Sequence, residues 1–218
     1  SREVHVDRVE PLALGVDVAR FGMNSSVIFP RKGRDARTID RFRYNGYSTT
    51  QLASEVVNIN NQYHADGIMI DGGGVGGGVV DQVRAGRLFC YEVQFGGKDV
   101  IHNTIWGNTG EKYANNRAAM YGACRAWLET GALPPDPDLK RQMMAIRYTF
   151  NAKDEIILER KEDLVDEDGQ GISLDDIDAL VLTFSHPLSR SAYAGGDLPQ
   201  PNLHVSEWDP YAQERMQA

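Results

Sequence analysis

Histidine and cysteine are scarce in this chain, with five and two among 218 residues. Cys90 and Cys124 sit in apolar contexts without ligand spacing, which excludes a disulfide framework and a zinc ribbon and leaves reduced, buried thiols. None of the five histidines has the spacing of a ligand pair or a catalytic triad, so any metal chemistry falls to carboxylates. No apolar run approaches the ~20 residues of a membrane span, nothing reads as a secretory leader, and no membrane partner is expected. The Gly-x4-Gly-Lys-Ser/Thr loop of P-loop nucleotide hydrolases is missing, and there is no internal repeat.

Positive charge is also in short supply. A net charge of −8 argues against indiscriminate nucleic-acid binding, but the distribution is uneven. Residues 31–43 hold six basic groups against Asp35 and Asp40, whereas residues 154–178 hold eleven acidic groups against Arg160 and Lys161. With 41% hydrophobic residues the chain can bury one sizeable core. One domain over residues 1–186 and an extended Gly/Pro/Ser-rich tail over 187–218 are expected. The start, Ser1-Arg-Glu-Val, reads as a cut from a longer chain.

Glycine is abundant where it matters. In Gly67-Ile-Met-Ile-Asp71 a short apolar run ends in a carboxylate, and six of the next seven residues are glycine. An apolar-periodic stretch, Val79 to Val83, follows. The pattern reads as buried strand, tight loop and helix, delivering Asp71 to the carboxyl edge of a sheet. A glycine run there costs backbone entropy, which is useful only if something must approach the backbone closely.

Before this stretch, Leu12–Val18, Ser26–Phe29 and Thr38–Tyr44 read as three meandering strands, with Pro30 to Arg34 as a basic turn. Ser48 to Thr50 cap a helix reaching about Tyr63. After it come a strand at Phe89–Val93, a polar loop from Gly96 to Gly110, and helices over Glu111–Glu129 and about Pro137–Ile146. A hairpin then joins Arg147–Phe150 to Ile156–Glu159, and a helix spans Leu174–His186 with Ser173 as its cap. This order predicts an α/β fold, a ribonuclease H-like mixed sheet with helices on both faces plus an inserted β-hairpin.

Three carboxylate groups stand on three distant elements: Asp17 at the end of the first strand, Asp71, and the Asp175, Asp176, Asp178 cluster. Asp175 and Asp178 are three apart on one helical turn, so both can face the sheet edge, while Asp176 is rotated away and only complements the helix dipole. Oxygen ligands without histidine favour Mg2+ or Mn2+. Such a cluster can hold two ions about 3.5–4 Å apart around a transferring phosphoryl group. Arg31, Lys32, Arg34 and Arg37 are the expected contacts to DNA phosphates, on an exposed turn beside the active edge.

The residues around these groups resemble a known family. Gly15-Val-Asp17-Val-Ala-Arg-Phe-Gly-Met-Asn-Ser-Ser-Val-Ile is similar to the first motif of the nuclease domain of tailed-bacteriophage large terminase subunits. Ile70-Asp71-Gly-Gly-Gly-Val-Gly-Gly-Gly resembles its second, and Tyr113-Ala-Asn-Asn-Arg117-Ala-Ala-Met-Tyr121 its Asn-x-Arg-Ala-Glu helix. Ile157-Leu-Glu-Arg-Lys161-Glu-Asp163 resembles its hairpin strand, and Ser173-Leu-Asp175-Asp-Ile-Asp178-Ala-Leu180 its Ser-Pro-Asp block. Leu174 replaces the usual Pro, and Ala119 stands where the family often has Glu. The resemblance implies a Mg2+- or Mn2+-dependent endonuclease cutting concatemeric double-stranded viral DNA by two-metal-ion hydrolysis. Asp17, Asp71 and Asp175 would be the metal ligands, with Asp178 adjacent, and Lys161 would face the scissile phosphate. It also implies partners: an ATPase motor domain in the same full-length chain, a small terminase subunit and a portal, working at the procapsid in the host cytoplasm.

Three other readings share parts of this pattern. An actin-like or sugar-kinase ATP-binding module has a similar fold and glycine loop but needs two copies of the fold. A non-catalytic domain docking DNA or a portal has no need of the carboxylates. A Holliday-junction resolvase has a similar acidic cluster but not the Asn-Asn-Arg helix or the hairpin.

Overall fold

Leu12–Asp17 (β1) is buried along its whole length, which explains its continuous rather than alternating apolar run. In the computed structural model, which describes residues 10–19, 25–99, 110–165 and 169–188, β1 is the middle of a five-stranded sheet. The order is β3-β2-β1-β4-β5, with β2 at Ser25–Lys32, β3 at Phe42–Asn45, β4 at Gly67–Asp71 and β5 at Tyr91–Val93. β2 pairs antiparallel with β1 and β3, while β4 runs parallel to β1 and β5 parallel to β4. The mixed sheet is the one expected from the element order.

Two helices cover one face. In α1 (Thr49–Tyr63), Leu52, Val56 and Ile59 pack with Val79, Val80 and Val83 of α2 (Gly76–Ala85) against Leu14, Val16, Ile28, Ile68 and Ile70. Ser48 caps α1 through a capping box, its Oγ accepting from Gln51 N while Gln51 Oε1 accepts from Ser48 N. The opposite face carries α3 (Asn116–Trp127), α4 (Pro137–Met144) and α5 (Asp175–Leu182), whose Met120, Trp127, Leu139, Ile177, Leu180 and Val181 meet Ala13, Val27, Phe29 and Met69. A hairpin of β6 (Tyr148–Phe150) and β7 (Ile156–Leu158) stands apart from the main sheet.

Gly15 sets the position of α5. A Cβ on Gly15 would lie 1.9 Å from the carbonyl oxygen of Ala179, so α5 presses directly on β1 where a side chain would hold it off. That brings Asp178, the neighbour of Ala179, down to the level of the sheet.

Several boundaries differ from the sequence reading. β2 runs through Pro30 to Lys32, because beyond Ile28 it has no β3 neighbour and proline is tolerated there. α3 starts at Asn116, not at Glu111, since the Asn115 side chain accepts from Ala118 N and fixes the first turn. α5 begins at Asp175 with Leu174 at the cap and ends at Leu182, shorter at both ends than expected. The turn over residues 20–24, most of the polar loop (100–109), residues 166–168 of the acidic loop and the tail from 189 onward lie outside the described residues. Among the described residues, no helix is long and apolar enough to cross a membrane.

Candidate active site

The parallel register of β1 and β4 pairs Val16 with Ile70, so the next residues, Asp17 and Asp71, stand level at the carboxyl edge of adjacent strands. Val16 and Ile70 face α1 and α2, so strand alternation turns both carboxylates toward α3 and α5. Glycine makes the turn after Asp71 possible: Gly74 has φ +59°, and a Cβ on Gly76 would lie 1.8 Å from the Asp71 carbonyl oxygen. Gly73 N donates to Asp71 Oδ1 at 3.0 Å.

Asp178 descends from α5 onto this pair and is fully buried. Its Oδ1 accepts from the Tyr121 hydroxyl at 2.7 Å, and the Lys161 ammonium stands 2.5 Å from its Oδ2. That second contact is a close ion pair, so Lys161 is the charge that faces the buried Oδ2. The Arg117 Nε lies 3.8 Å from Oδ1. Lys161 opens a single 3-10 turn, Lys161–Asp163, just after β7, and its ammonium also lies 5.6 Å from the centre of the Phe95 ring.

The electrostatics bind these groups into one cluster. Burial pushes the Asp17 carboxyl well above the usual carboxylate range, and the charge of Asp178 pushes it further. Lys161 opposes that rise, while Asp71 and then Asp175 add to it. Burial also raises Asp71, against the Gly73 N–H and Lys161, which lower it. Burial alone would lower Lys161, but Asp178 and Asp17 outweigh it and hold the ammonium charged above its ordinary range. Burial raises the Tyr121 phenol well above 10, with the Asp178 charge adding, so the hydroxyl stays a donor.

The acidic trio on α5 divides differently from the sequence expectation. Asp175 lies at the rim, where Oδ2 accepts from Ser25 N at 3.1 Å and Oδ1 from the Ser173 hydroxyl at 2.6 Å. Asp176 is not a solvated dipole partner. It is 1% exposed and gripped by Arg43 through both carboxylate oxygens, by Gln142 Nε2 at 2.7 Å, and by Arg41, whose Nε is 2.8 Å from Oδ1. Arg41 also pairs with Asp136.

The expected DNA contacts do not reach this edge. Lys32 pairs with Leu12, at the start of β1, so the basic turn lies at the opposite end of the sheet from Asp17. Arg31 is buried: Nε donates to Thr183 Oγ1 at 2.8 Å, Nη2 to Thr183 O and Nη1 to Gly33 O, both at 2.7 Å, and the guanidinium sits 4.2 Å over the Phe184 ring. Burial lowers its pKa to about 10. Arg37 pairs with Asp35 at 2.7 Å. Lys32 is half-buried and Arg34 exposed, both at that far end. Arg43 is the member of the basic stretch level with the site, since it pairs with Val27, which pairs with Asp17.

The donor set fits a hard divalent cation: carboxylate oxygens without nitrogen or sulfur, around Asp17, whose charge is disfavoured by burial and by Asp178. The four-carboxylate cage expected from the sequence is not drawn together, for among the described residues no group of three or more acidic, histidine or cysteine side chains has closed to ligating distance. Asp175 is held outward by Ser25 and Ser173, and Lys161 supplies the positive charge inside. Sequence reasoning missed Tyr121, Arg117 and Gly15 as parts of the site. Tyr121 follows Arg117 by one helical turn, the spacing that could have flagged it.

No family model matches the sequence, and no significant match to a curated protein is found. Solved structures do match. The nuclease domain of the large terminase subunit gp2 of bacterial virus Sf6 superposes with a TM-score of 0.64 at 16% identity, covering 81% of this chain and 89% of that one. A mutant of the same domain with manganese and beta-thujaplicinol gives 0.64 at 16%, covering 83% and 90%. The large terminase nuclease of thermophilic phage G20c with bound magnesium gives 0.56 at 15%, covering 83% of each chain. The carboxylate-bearing mixed sheet described above, with its helices on both faces, is the fold of the phage large terminase nuclease domains.

Proposed function

We propose that this chain is a Mg2+- or Mn2+-dependent endonuclease domain of a viral DNA-packaging terminase, hydrolysing phosphodiester bonds in concatemeric double-stranded DNA. The observation that carries the reading is that Asp17 and Asp71 stand level at the carboxyl edge of β1 and β4, beside the buried Asp178–Lys161 ion pair of α5 and the turn after β7. The same fold holds manganese in the Sf6 domain and magnesium in the G20c domain, as those structures are described.

In this reading Asp17, Asp71 and Asp178 hold the metal, with Asp175 joining from the rim. A divalent ion held by these carboxylates would supply Lewis-acid activation of water and charge stabilisation for the leaving oxygen. Lys161 neutralises the cluster before DNA arrives and then offers its ammonium to the scissile phosphate. Arg43 stands at the same level and is 40% exposed, which favours it over the far turn as a phosphate contact. An ATPase motor domain, a small terminase subunit and a portal would be the partners, with the host cytoplasm as the place of action.

Incubating the protein with plasmid DNA and Mn2+, Mg2+ or EDTA tests this. Nicking and linearisation are expected with either metal and none in EDTA. Cleavage undiminished by EDTA defeats the metal reading. ATP hydrolysis without DNA cutting points to the actin-like alternative.

A further inference from the structure

The Asn115-Asn116-Arg117 segment and Tyr121 are the feature of the sequence that the proposed reaction does not use. Each has a defined task in the structure. Asn115 caps α3, and the fully buried Asn116 donates to Gln94 O at 2.8 Å and Asp99 Oδ1 at 2.6 Å. Asn116 N and Arg117 N donate to Gly97 O and Phe95 O, so the loop after β5 is pinned to the first turn of α3. That loop carries Phe95, against which the Lys161 ammonium rests.

Arg117 and Tyr121 then face inward, four residues apart on one side of α3, with the guanidinium 5.4 Å over the phenol ring. Arg117 Nη1 donates at 3.1 Å to the carbonyl of Glu159, two residues before Lys161. The Tyr121 hydroxyl donates to one oxygen of Asp178, while Lys161 stands at the other. Nε of Arg117 lies 3.8 Å from Oδ1 of Asp178, so the guanidinium also faces the carboxylate oxygen that Tyr121 holds.

We propose that Arg117 and Tyr121 are positioning residues: Tyr121 fixes the direction of the Asp178 carboxylate, and Arg117 ties the strand that delivers Lys161 to the same helix. The inference rests on the metal-dependent reading above. Neither residue touches the reacting atoms. Their effect is transmitted through Asp178 and Lys161, as partners behind metal ligands transmit theirs.

Titration of the full 218-residue chain with Mn2+ by calorimetry, beside the melting temperature of the metal-free protein, separates the outcomes. Tyr121→Phe is expected to weaken Mn2+ binding by about 10–100-fold, with cleavage recovering at high Mn2+. Arg117→Lys, which retains charge but not the Nη1 hydrogen bond to Glu159 O, is expected to lower the cleavage rate at saturating Mn2+ by about tenfold or more. A merely structural role would lower the melting temperature and leave the Mn2+ midpoint and saturated rate where they were, and that result overturns the inference. Should Tyr121→Phe fail to fold, the saturated rate of Arg117→Lys decides alone. If the wild-type chain itself binds no Mn2+ and cuts no DNA, the nuclease reading falls and this inference falls with it. A wild-type chain that does both, beside variants that match it, overturns the positioning roles alone.

Discussion

Gln142 holds Asp176 from two directions: its Nε2 donates to Asp176 Oδ2 at 2.7 Å, and its Oε1 accepts from Asp176 N at 3.1 Å. Together with Arg41 and Arg43, this clasp binds α5 to β3 and α4. Removing one partner from a buried ion pair leaves the others uncompensated, at a cost of about 3–5 kcal/mol. Arg43 is 40% exposed and keeps part of its hydration, so the lower end applies. Asp176→Ala is therefore expected to destabilise the protein by about 3 kcal/mol in urea denaturation. A loss below about 1 kcal/mol would return Asp176 to the role of a surface dipole partner.

The division among Asp175, Asp176 and Asp178 shows where sequence reasoning stops. Asp17 and Asp71 are readable because each closes a short apolar run, a local signal that tertiary packing does not alter. The α5 carboxylates depend on where the helix begins. With the cap at Leu174 rather than Ser173, Asp175 is the first helical residue and stays at the rim with Ser25 and Ser173, while Asp178 lies nearly one turn in, against Tyr121. Arg31 was misread for a similar reason: Pro30 looks like a strand end, yet β2 continues and strand alternation turns Arg31 inward toward Thr183. The helices, the sheet and the hairpin are periodic signals and survive. The side on which a single polar residue emerges is a boundary effect and does not.

That correction carries its own test. Arg31→Ala should destabilise the fold, because Thr183 and Gly33 lose a buried charge-assisted donor, at about 1.5–3 kcal/mol for such hydrogen bonds. Lys32→Ala with Arg34→Ala should leave both stability and the salt dependence of DNA binding unchanged. Arg43→Gln should flatten that dependence by about one unit of slope. Binding measured from 50 to 200 mM salt gives the answer, and a flatter slope in the Lys32/Arg34 double variant would restore the turn as the grip.

Asp17 sets the pH response of the metal-free protein. A carboxyl whose folded pKa lies above its unfolded value adds stability below the unfolded value and loses it as pH rises through the folded one. Asp17 and Asp71 are both shifted this way, so at neutral pH their ionised forms weigh against the fold. In EDTA, Asp17→Asn should melt higher than wild type at pH 7, and the gap should close as pH falls toward 4. Added Mn2+ should reverse the order by stabilising the wild type alone. A wild-type protein that melts higher than the variant at pH 7 in EDTA would contradict the electrostatic account.

Asp178 should outrank Asp175. Both lie on α5, but only Asp178 is buried against Tyr121 and Lys161, and its charge weighs more on Asp17 than that of Asp175. Asp178→Asn should abolish Mn2+-dependent cleavage, whereas Asp175→Asn should reduce it by about 10–100-fold and respond to added metal. Rates across a Mn2+ series rank the two, and full activity in Asp178→Asn would remove it from the ligand set.

The glycine loop separates folding from function within three adjacent residues. A Cβ at Gly76 would overlap the Asp71 carbonyl, 1.8 Å away, and nothing short of a backbone shift relieves it. Gly76→Ala should therefore cost about 3 kcal/mol or prevent folding. At Gly77 the same Cβ meets only the Gly72 carbonyl oxygen at 3.8 Å, and at Gly78 it makes ordinary contact with Thr49 at 3.5 Å. Neither position has a steric need for glycine, and both lie in the first turn of α2, where alanine lowers the unfolded-state entropy. Gly77→Ala should thus raise stability by up to about 0.5–1 kcal/mol. If the bare backbone is there to let DNA approach the edge beside Asp71, the same variant should cut more slowly despite being more stable. Urea denaturation and cleavage rates on one preparation measure both effects, and a Gly77→Ala protein that is stabilised and fully active would remove the loop from the DNA path.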